Sequence, residues 1–214
     1  MPRGVTKRRP ATVAALLDAA MGLFAEQGFG GTSIPDICAR AGLTKGAFYS
    51  NFASKEALFL ALLDRMWGRR AEGIRAALPA SDTLARALEG STELPVIAVD
   101  REWTLVSMEF TLHAIRRPDV ATLLVEHEAR ARSELAALLA AALEHAGRVP
   151  TIPVTELARM IVASSEGSDI QALTDRAGGA VVRADLGRHA ITGLLRHFSR
   201  PAEPIPQHTQ EADR

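Results

Sequence analysis

Within the twelve residues from Thr44 to Lys55 (TKGAFYSNFASK) the chain gathers groups suited to holding phosphate oxygens. Lys45 and Lys55 offer charge, Thr44 and Tyr49 offer hydroxyls, and Gly46 has no side chain to hold the backbone away from a groove. Helix N-termini in such a stretch add oriented amides for the same oxygens. Ala47 and Ser50 sit where base edges would be met, and both are small, so direct base readout is expected to be sparse.

Other constellations carry less. Glu109 and His113 lie four apart on one helical face, a spacing that can seat a metal or an acid–base pair. A lone Glu/His pair at that spacing is more often a surface hydrogen bond or ion pair. Glu126-His127-Glu128 is adjacent in sequence, so its side chains splay around a helix. No HExxH, Cys-rich metal motif, GxSxG elbow or P-loop occurs. Gly28-Phe29-Gly30-Gly31 lacks the preceding strand and spacing of a phosphate loop and is a helix stop plus a turn. No metal, cofactor or catalysis is expected, and a helical small-molecule enzyme is a rival with no motif behind it.

The elements that must position the Thr44–Lys55 groups are legible from their caps. Ser33 caps a first short helix, with Pro35 just inside and Asp36 at capping-box spacing. Ile34, Ile37, Cys38 and Ala41 give that helix one apolar face. Ala41-Gly42-Leu43 breaks it, Thr44 caps a second short helix running to Asn51, and Ser54 caps a third. Two short amphipathic helices joined by a glycine-containing turn form the helix-turn-helix pattern, with Thr44–Asn51 as the recognition helix. Phe48, Phe52 and Cys38 are expected in its core.

Composition agrees. Alanine and leucine dominate a chain that is 47% hydrophobic, and β-branched and aromatic residues are few, which favours an all-α fold. Net charge is zero, but residues 1–70 hold ten Lys/Arg against five Asp/Glu while residues 71–214 hold fifteen against twenty. A basic end on an acidic body suits a phosphate-facing module. The single cysteine, Cys38, permits no intrachain disulfide and fits a reducing compartment. No apolar run approaches a membrane span, and Asp18 interrupts the only segment resembling a signal peptide, so a cytoplasmic location is expected.

The spaced positions Ala19-Ala20-Met21-Gly22-Leu23-Phe24-Ala25-Glu26-Gln27-Gly28-Phe29, Thr32-Ser33-Ile34, Ile37-Cys38, Ala41-Gly42-Leu43-Thr44-Lys45-Gly46, Phe48-Tyr49, Phe52 and Lys55-Glu56 resemble the DNA-binding region of the TetR family of bacterial transcriptional regulators. The resemblance covers roughly the first 60 residues; beyond them it lies only in length, helicity and arrangement. It implies DNA contacts from Thr44, Lys45, Gly46, Tyr49, Asn51 and Lys55, with Thr32 and Ser33 as weaker candidates. Asn51 stands where the family often has histidine or tyrosine.

Nine helices are expected. A stripe of Val13, Leu16, Leu17, Ala20 and Phe24 starts the first near residue 11, and Phe29 folds back on its end as in a Schellman stop. The long helix from Ser54, ending near Pro79, links head to body. A short helix opens at Ser81-Asp82, and others cover about 99–116, 119–146, 154–175 and 182–199. The expected organisation is a basic arm over 1–10, a helix-turn-helix DNA-binding domain over 11–56, a ligand-binding and dimerisation body over 57–200, and a disordered tail over 201–214. The arm (Arg3, Lys7, Arg8, Arg9) is either a minor-groove or phosphate contact or a solubilising tail.

The family resemblance implies a small-molecule pocket in the body, with Trp67, Trp103, Met108, Phe110 and His113 as candidate lining; ordinary core is the competing reading for each. Glu109, His113 and Arg116 are available as its polar groups. It also implies a homodimer through the last two long helices, where Ala163, Ser164, Gly167 and Ser168 form a small-residue face, and a palindromic double-stranded operator. A repressor released by an effector is the expected behaviour, and a family-like dimer acting through protein partners is the alternative.

Overall fold

A computed structural model describes residues 8–77, 83–94, 100–179 and 185–202. Nine helices occur among them: α1 Arg8–Gly31, α2 Ile34–Ala41, α3 Lys45–Tyr49, α4 Lys55–Ala77, α5 Thr83–Glu89, α6 Arg101–Ile115, α7 Pro118–His145, α8 Val154–Ala177 and α9 Leu186–His197. The all-α expectation holds. Residues 1–7, the tail from 203, the Ser81-Asp82 opening and the start of the last helix at 182 lie outside the described residues.

Two differences from the sequence reading have local causes. First, α1 starts at Arg8, so Arg8–Pro10 form its first turn instead of belonging to an arm. Pro10 fits there because its missing N–H is one the first turn leaves unpaired anyway. Second, Arg148–Pro150 (β1) and Ser199–Pro201 (β2) pair antiparallel, in register Val149↔Arg200. Three residues a side are too few to show alternation in sequence. A side chain of the ribbon itself adds to the pairing, the Arg148 guanidinium of β1 donating across to the Ser199 hydroxyl of β2 at 2.8 Å and to its carbonyl at 2.6 Å.

The main core crosses the boundary expected at residues 56/57. It gathers Leu16, Leu23, Phe24 and Phe29 of α1 with Ile37, Cys38 and Phe48 of the two short helices, Leu58, Phe59 and Leu62 of α4, and Trp103, Val106 and Phe110 of α6. Phe59 stacks on Phe110 at 3.8 Å between centroids and on Trp103 at 5.9 Å. Trp103 and Phe110 are thus packed in the core. A second core joins Leu139 and Leu143 of α7, Leu157 of α8 and Leu195 of α9.

Helix α4 begins beside α3 and is tied to the body along its length. His113 of α6 lies 3.2 Å from Glu56, His127 of α7 lies 2.7 Å from Asp64, Arg75 meets Glu134 of α7, and Arg70 reaches Asp169 of α8 at 3.9 Å. Partial burial makes the carboxyls of this last region costly to ionise. Burial and then the Glu128 charge push the Glu166 carboxyl up, against the pull of Arg70 and Arg132. Burial likewise raises Asp169, against Arg70.

A carboxyl raised by folding contributes stability that is full below its unfolded pKa and is lost as pH rises through the folded one. Glu166→Gln cannot ionise, so it is expected to melt with wild type near pH 4 and above it at pH 7. Solvent reaches Glu166 and screens the effect, so the gain stays at about 2 °C. A difference that does not grow with pH would contradict the burial argument. Among the described residues no helix is long and apolar enough to cross a membrane, and no cluster of three metal-ligating side chains occurs.

Candidate nucleic-acid interface

The capping chemistry of α2 and α3 appears as the sequence dictates. The Ser33 hydroxyl accepts from the Asp36 amide at 3.3 Å while the Asp36 carboxylate accepts from the Ser33 amide at 3.1 Å. Gly42 ends α2 at φ 64°, and the Leu43 amide bonds back to the Cys38 carbonyl at 2.9 Å. Thr44 then caps α3, its hydroxyl accepting from the Ala47 amide at 3.1 Å. Phe48 is fully buried and anchors the short helix, so the opposite edge faces outward.

That outward edge carries Thr44, Lys45, Gly46 and Tyr49, all exposed. The Tyr49 ring is 58% exposed and touches Phe48 only edge-on, at 5.4 Å between centroids. It does not serve as core. Asn51 is half-buried; its amide donates to the Ala47 carbonyl at 2.8 Å and its carbonyl oxygen lies 3.4 Å from the Arg9 Nε donor. Arg9, in the first turn of α1, therefore stands beside α3. Sequence reasoning placed it only in a basic arm. Ser33 is exposed, with its hydroxyl engaged by Asp36.

Two of the eight expected DNA-facing residues point elsewhere. Thr32 is 2% exposed, and its hydroxyl donates to the Leu23 carbonyl at 3.2 Å and the Gly28 carbonyl at 2.9 Å. Lys55 donates inward to the Phe29 carbonyl at 2.6 Å and the Thr32 carbonyl at 2.7 Å, with its ammonium 4.3 Å from the Phe29 ring centroid. Burial lowers its pKa, partly offset by Glu56. Both residues satisfy carbonyls that the end of α1 leaves open.

The reason lies at Gly28. Its φ of 77° and ψ of 162° interrupt α1, so this is not a left-handed Schellman stop. Phe29 is turned into the core, packing on Phe24 at 5.2 Å, Phe110 at 5.0 Å and His113 at 4.9 Å. The Phe29 amide donates to the Glu109 carboxylate of α6 at 2.7 Å. Glu109, Lys55 and Thr32 together form a latch around the end of α1, tying it to α6 and α4. Below Glu109 the His113–Glu56 contact joins the same helix to the first turn of α4. Burial pushes Glu56 up, but its own amide, the Ser54 hydroxyl and His113 outweigh burial and leave it below the usual carboxylate range.

The expected ligand set does not converge. His113 lines a cavity of about 520 Å³ together with Phe29, Gly30, Glu109, Leu112, Arg116 and Arg117, whereas Trp67 borders a different, nearly closed gap between α4 and α7. Met108 is 37% exposed and lines neither.

Comparison with known proteins is consistent along the chain. The model for bacterial regulatory proteins of the tetR family matches residues 16–62, and that for the C-terminal part of BetI-type transcriptional repressors matches residues 80–196. The HTH-type transcriptional repressor Rv3405c of Mycobacterium tuberculosis is 34% identical over 142 residues, 66% of this chain and 70% of that protein. Salmonella enterica GusR has a TM-score of 0.66 and 27% identity, over 90% of this chain and 98% of that one. The multidrug binding protein EbrR, solved with imidazole, has a TM-score of 0.56 and 26% identity, over 97% and 99%.

Proposed function

We infer the function from one premise: the chain belongs to the TetR family of bacterial regulatory proteins and is a DNA-binding transcriptional regulator. We propose that it is a homodimeric repressor that leaves a palindromic operator when a small molecule binds. The observation that carries the DNA reading is the outward edge of α3, where Thr44, Lys45, Gly46 and Tyr49 stand exposed on a helix anchored by Phe48. Asn51 follows that edge with Arg9 adding a cation beside it, and the exposed Ser33 is a further candidate contact. In this reading residues 11–56 are the DNA-binding head and 57–200 the ligand-binding and dimerising body.

The dimer would form through α8 and α9. Part of the small-residue face on α8 is used within the chain, since a Cβ on Gly187 of α9 would meet Ser168 at 3.3 Å. Ala163, Ile170, Leu186 and Gly193 remain exposed on the two helices and are available to a second copy. Two-fold symmetry would then set the two α3 helices about 34–36 Å apart, or a multiple of it.

Release would be a population shift: an effector that binds the non-DNA form more tightly biases α4, which runs from the head into the body. EbrR, solved with imidazole, illustrates ligand occupancy on this fold; a small-molecule effector here is proposed by that analogy. The direct test is operator binding by Tyr49→Phe. Loss of the hydroxyl is expected to weaken specific binding about tenfold with an unchanged melting temperature. Equal affinity would remove the Tyr49 hydroxyl from the interface.

A further inference from the structure

Phosphate is held by cations, and few cations of the head are available for it. Lys55 donates inward to the Phe29 and Thr32 carbonyls. Arg40 is held by both carboxylate oxygens of Glu26, at 2.8 and 2.7 Å. Among the described side chains of residues 8–56 that leaves Lys45, at the start of α3, and Arg9, in the first turn of α1. Both are exposed.

Arg9 is oriented by one side chain. The Asn51 amide nitrogen donates to the Ala47 carbonyl at 2.8 Å, and the reverse orientation would set two carbonyl oxygens together. The Asn51 Oδ1 is thereby turned to the Arg9 Nε, 3.4 Å away. That contact is long and exposed, so it orients the guanidinium and adds little to the stability of the fold. An amide oxygen cannot bind phosphate, but the guanidinium it orients can. With Nε facing Asn51, the two terminal nitrogens of Arg9 make no hydrogen bond among the described residues. They form a planar fork that matches two phosphate oxygens. Lys45 and Asn51 mark the two ends of the α3 segment, about 9 Å apart at the helical rise, beside a major groove about 12 Å wide. Lys45 and Arg9 are thus placed for the backbone on either side of one groove.

We propose that Arg9 is a DNA-backbone contact and that Asn51 is its positioning residue, acting on DNA through Arg9 instead of touching it. An arginine that is already oriented loses less freedom when it binds, and that is the contribution of Asn51. The proposal rests on the regulator reading and extends the DNA surface from α3 to the first turn of α1.

The test is binding of the full chain to a mixed-sequence duplex of about 30 base pairs, at salt concentrations from about 50 to 200 mM. Arg9→Ala is expected to bind about tenfold more weakly, to shallow the log–log salt slope by about one, and to melt with wild type. Asn51→Ala is expected to keep the wild-type slope and to weaken binding about threefold, the cost of ordering one long side chain. In the Arg9→Ala background Asn51→Ala is expected to cost nothing more, because the two act as one unit. An unchanged slope in Arg9→Ala would overturn the Arg9 contact. A loss from Asn51→Ala that persists without Arg9, or no loss with Arg9 present, would overturn the positioning role. Lys45→Ala in the same assay keeps the two readings apart. A shallower slope for Lys45→Ala but not for Arg9→Ala would strike this proposal alone, and no salt-sensitive binding by wild type would strike the regulator reading itself.

Discussion

Gly28→Ala is expected to lower the melting temperature by about 10 °C. Inside a regular helix the same substitution would raise stability, by ~0.4–1 kcal/mol, because alanine restricts the unfolded chain. Gly28 is not in a regular conformation: its φ of 77° and ψ of 162° lie in a region essentially reserved for glycine, which costs another residue ~1–3 kcal/mol. A Cβ there would also lie 2.6 Å from the Glu109 carboxylate.

The Glu109 side chain can swing aside, so the clash itself is cheap. What is lost is its charge-assisted bond to the Phe29 amide, about 1.5–3 kcal/mol. The sum is about 2.5–6 kcal/mol, and each kcal/mol moves the midpoint by about 2–4 °C in a chain of this size. Thermal melts at one fixed protein concentration check it, since association shifts the midpoint. A melting temperature equal to or above wild type would mean that α1 runs straight through Gly28 and that the latch does not exist.

The second large effect separates two lysines ten residues apart in sequence but opposite in role. Lys55→Ala is expected to cost about 2–3 kcal/mol, because the Phe29 and Thr32 carbonyls lose their charged donor, and to leave the salt dependence of DNA binding unchanged. Lys45→Ala is expected to leave the melt within about 0.5 kcal/mol of wild type and to shallow the log–log salt slope by about one, as removal of one phosphate contact should. If Lys55→Ala instead melted normally and shallowed the slope, its ammonium would face DNA in the complex and the inward geometry would not persist there.

Most of the fold was legible because its signals are local. Ser33 with Asp36, Gly42 and Thr44 are capping chemistry within four residues of the backbone they satisfy, so the two short helices could be placed almost to the residue. Tyr49 was likewise legible as a surface group, since Phe48 next to it takes the core position. Thr32 and Lys55 were not, because their direction depends on the kink at Gly28. That kink is held by a carboxylate 80 residues away from Phe29 along the chain, and nothing near Glu109 marks it as a partner.

Trp103 and Phe110 fit a pocket or a core equally well by type and spacing. Their stack on Phe59 is a tertiary fact that neither type nor spacing announces. The cavity at the α1–α6 junction escaped for the same reason, although Glu109, His113 and Arg116 were recognisable as polar groups on one stretch. Phe29, which also borders it, carried a helix-stop signal and no ligand signal.

The measurement that bears most directly on the function is selection of purified full-length protein on a pool of random duplex DNA at near-physiological salt, with the wild-type chain and the Lys45→Ala and Tyr49→Phe variants in parallel. An inverted repeat with one fixed half-site spacing is expected from the wild-type protein, and a weaker enrichment of the same repeat from both variants. Salt-sensitive binding without an enriched sequence, the same for all three proteins, would contradict recognition by α3.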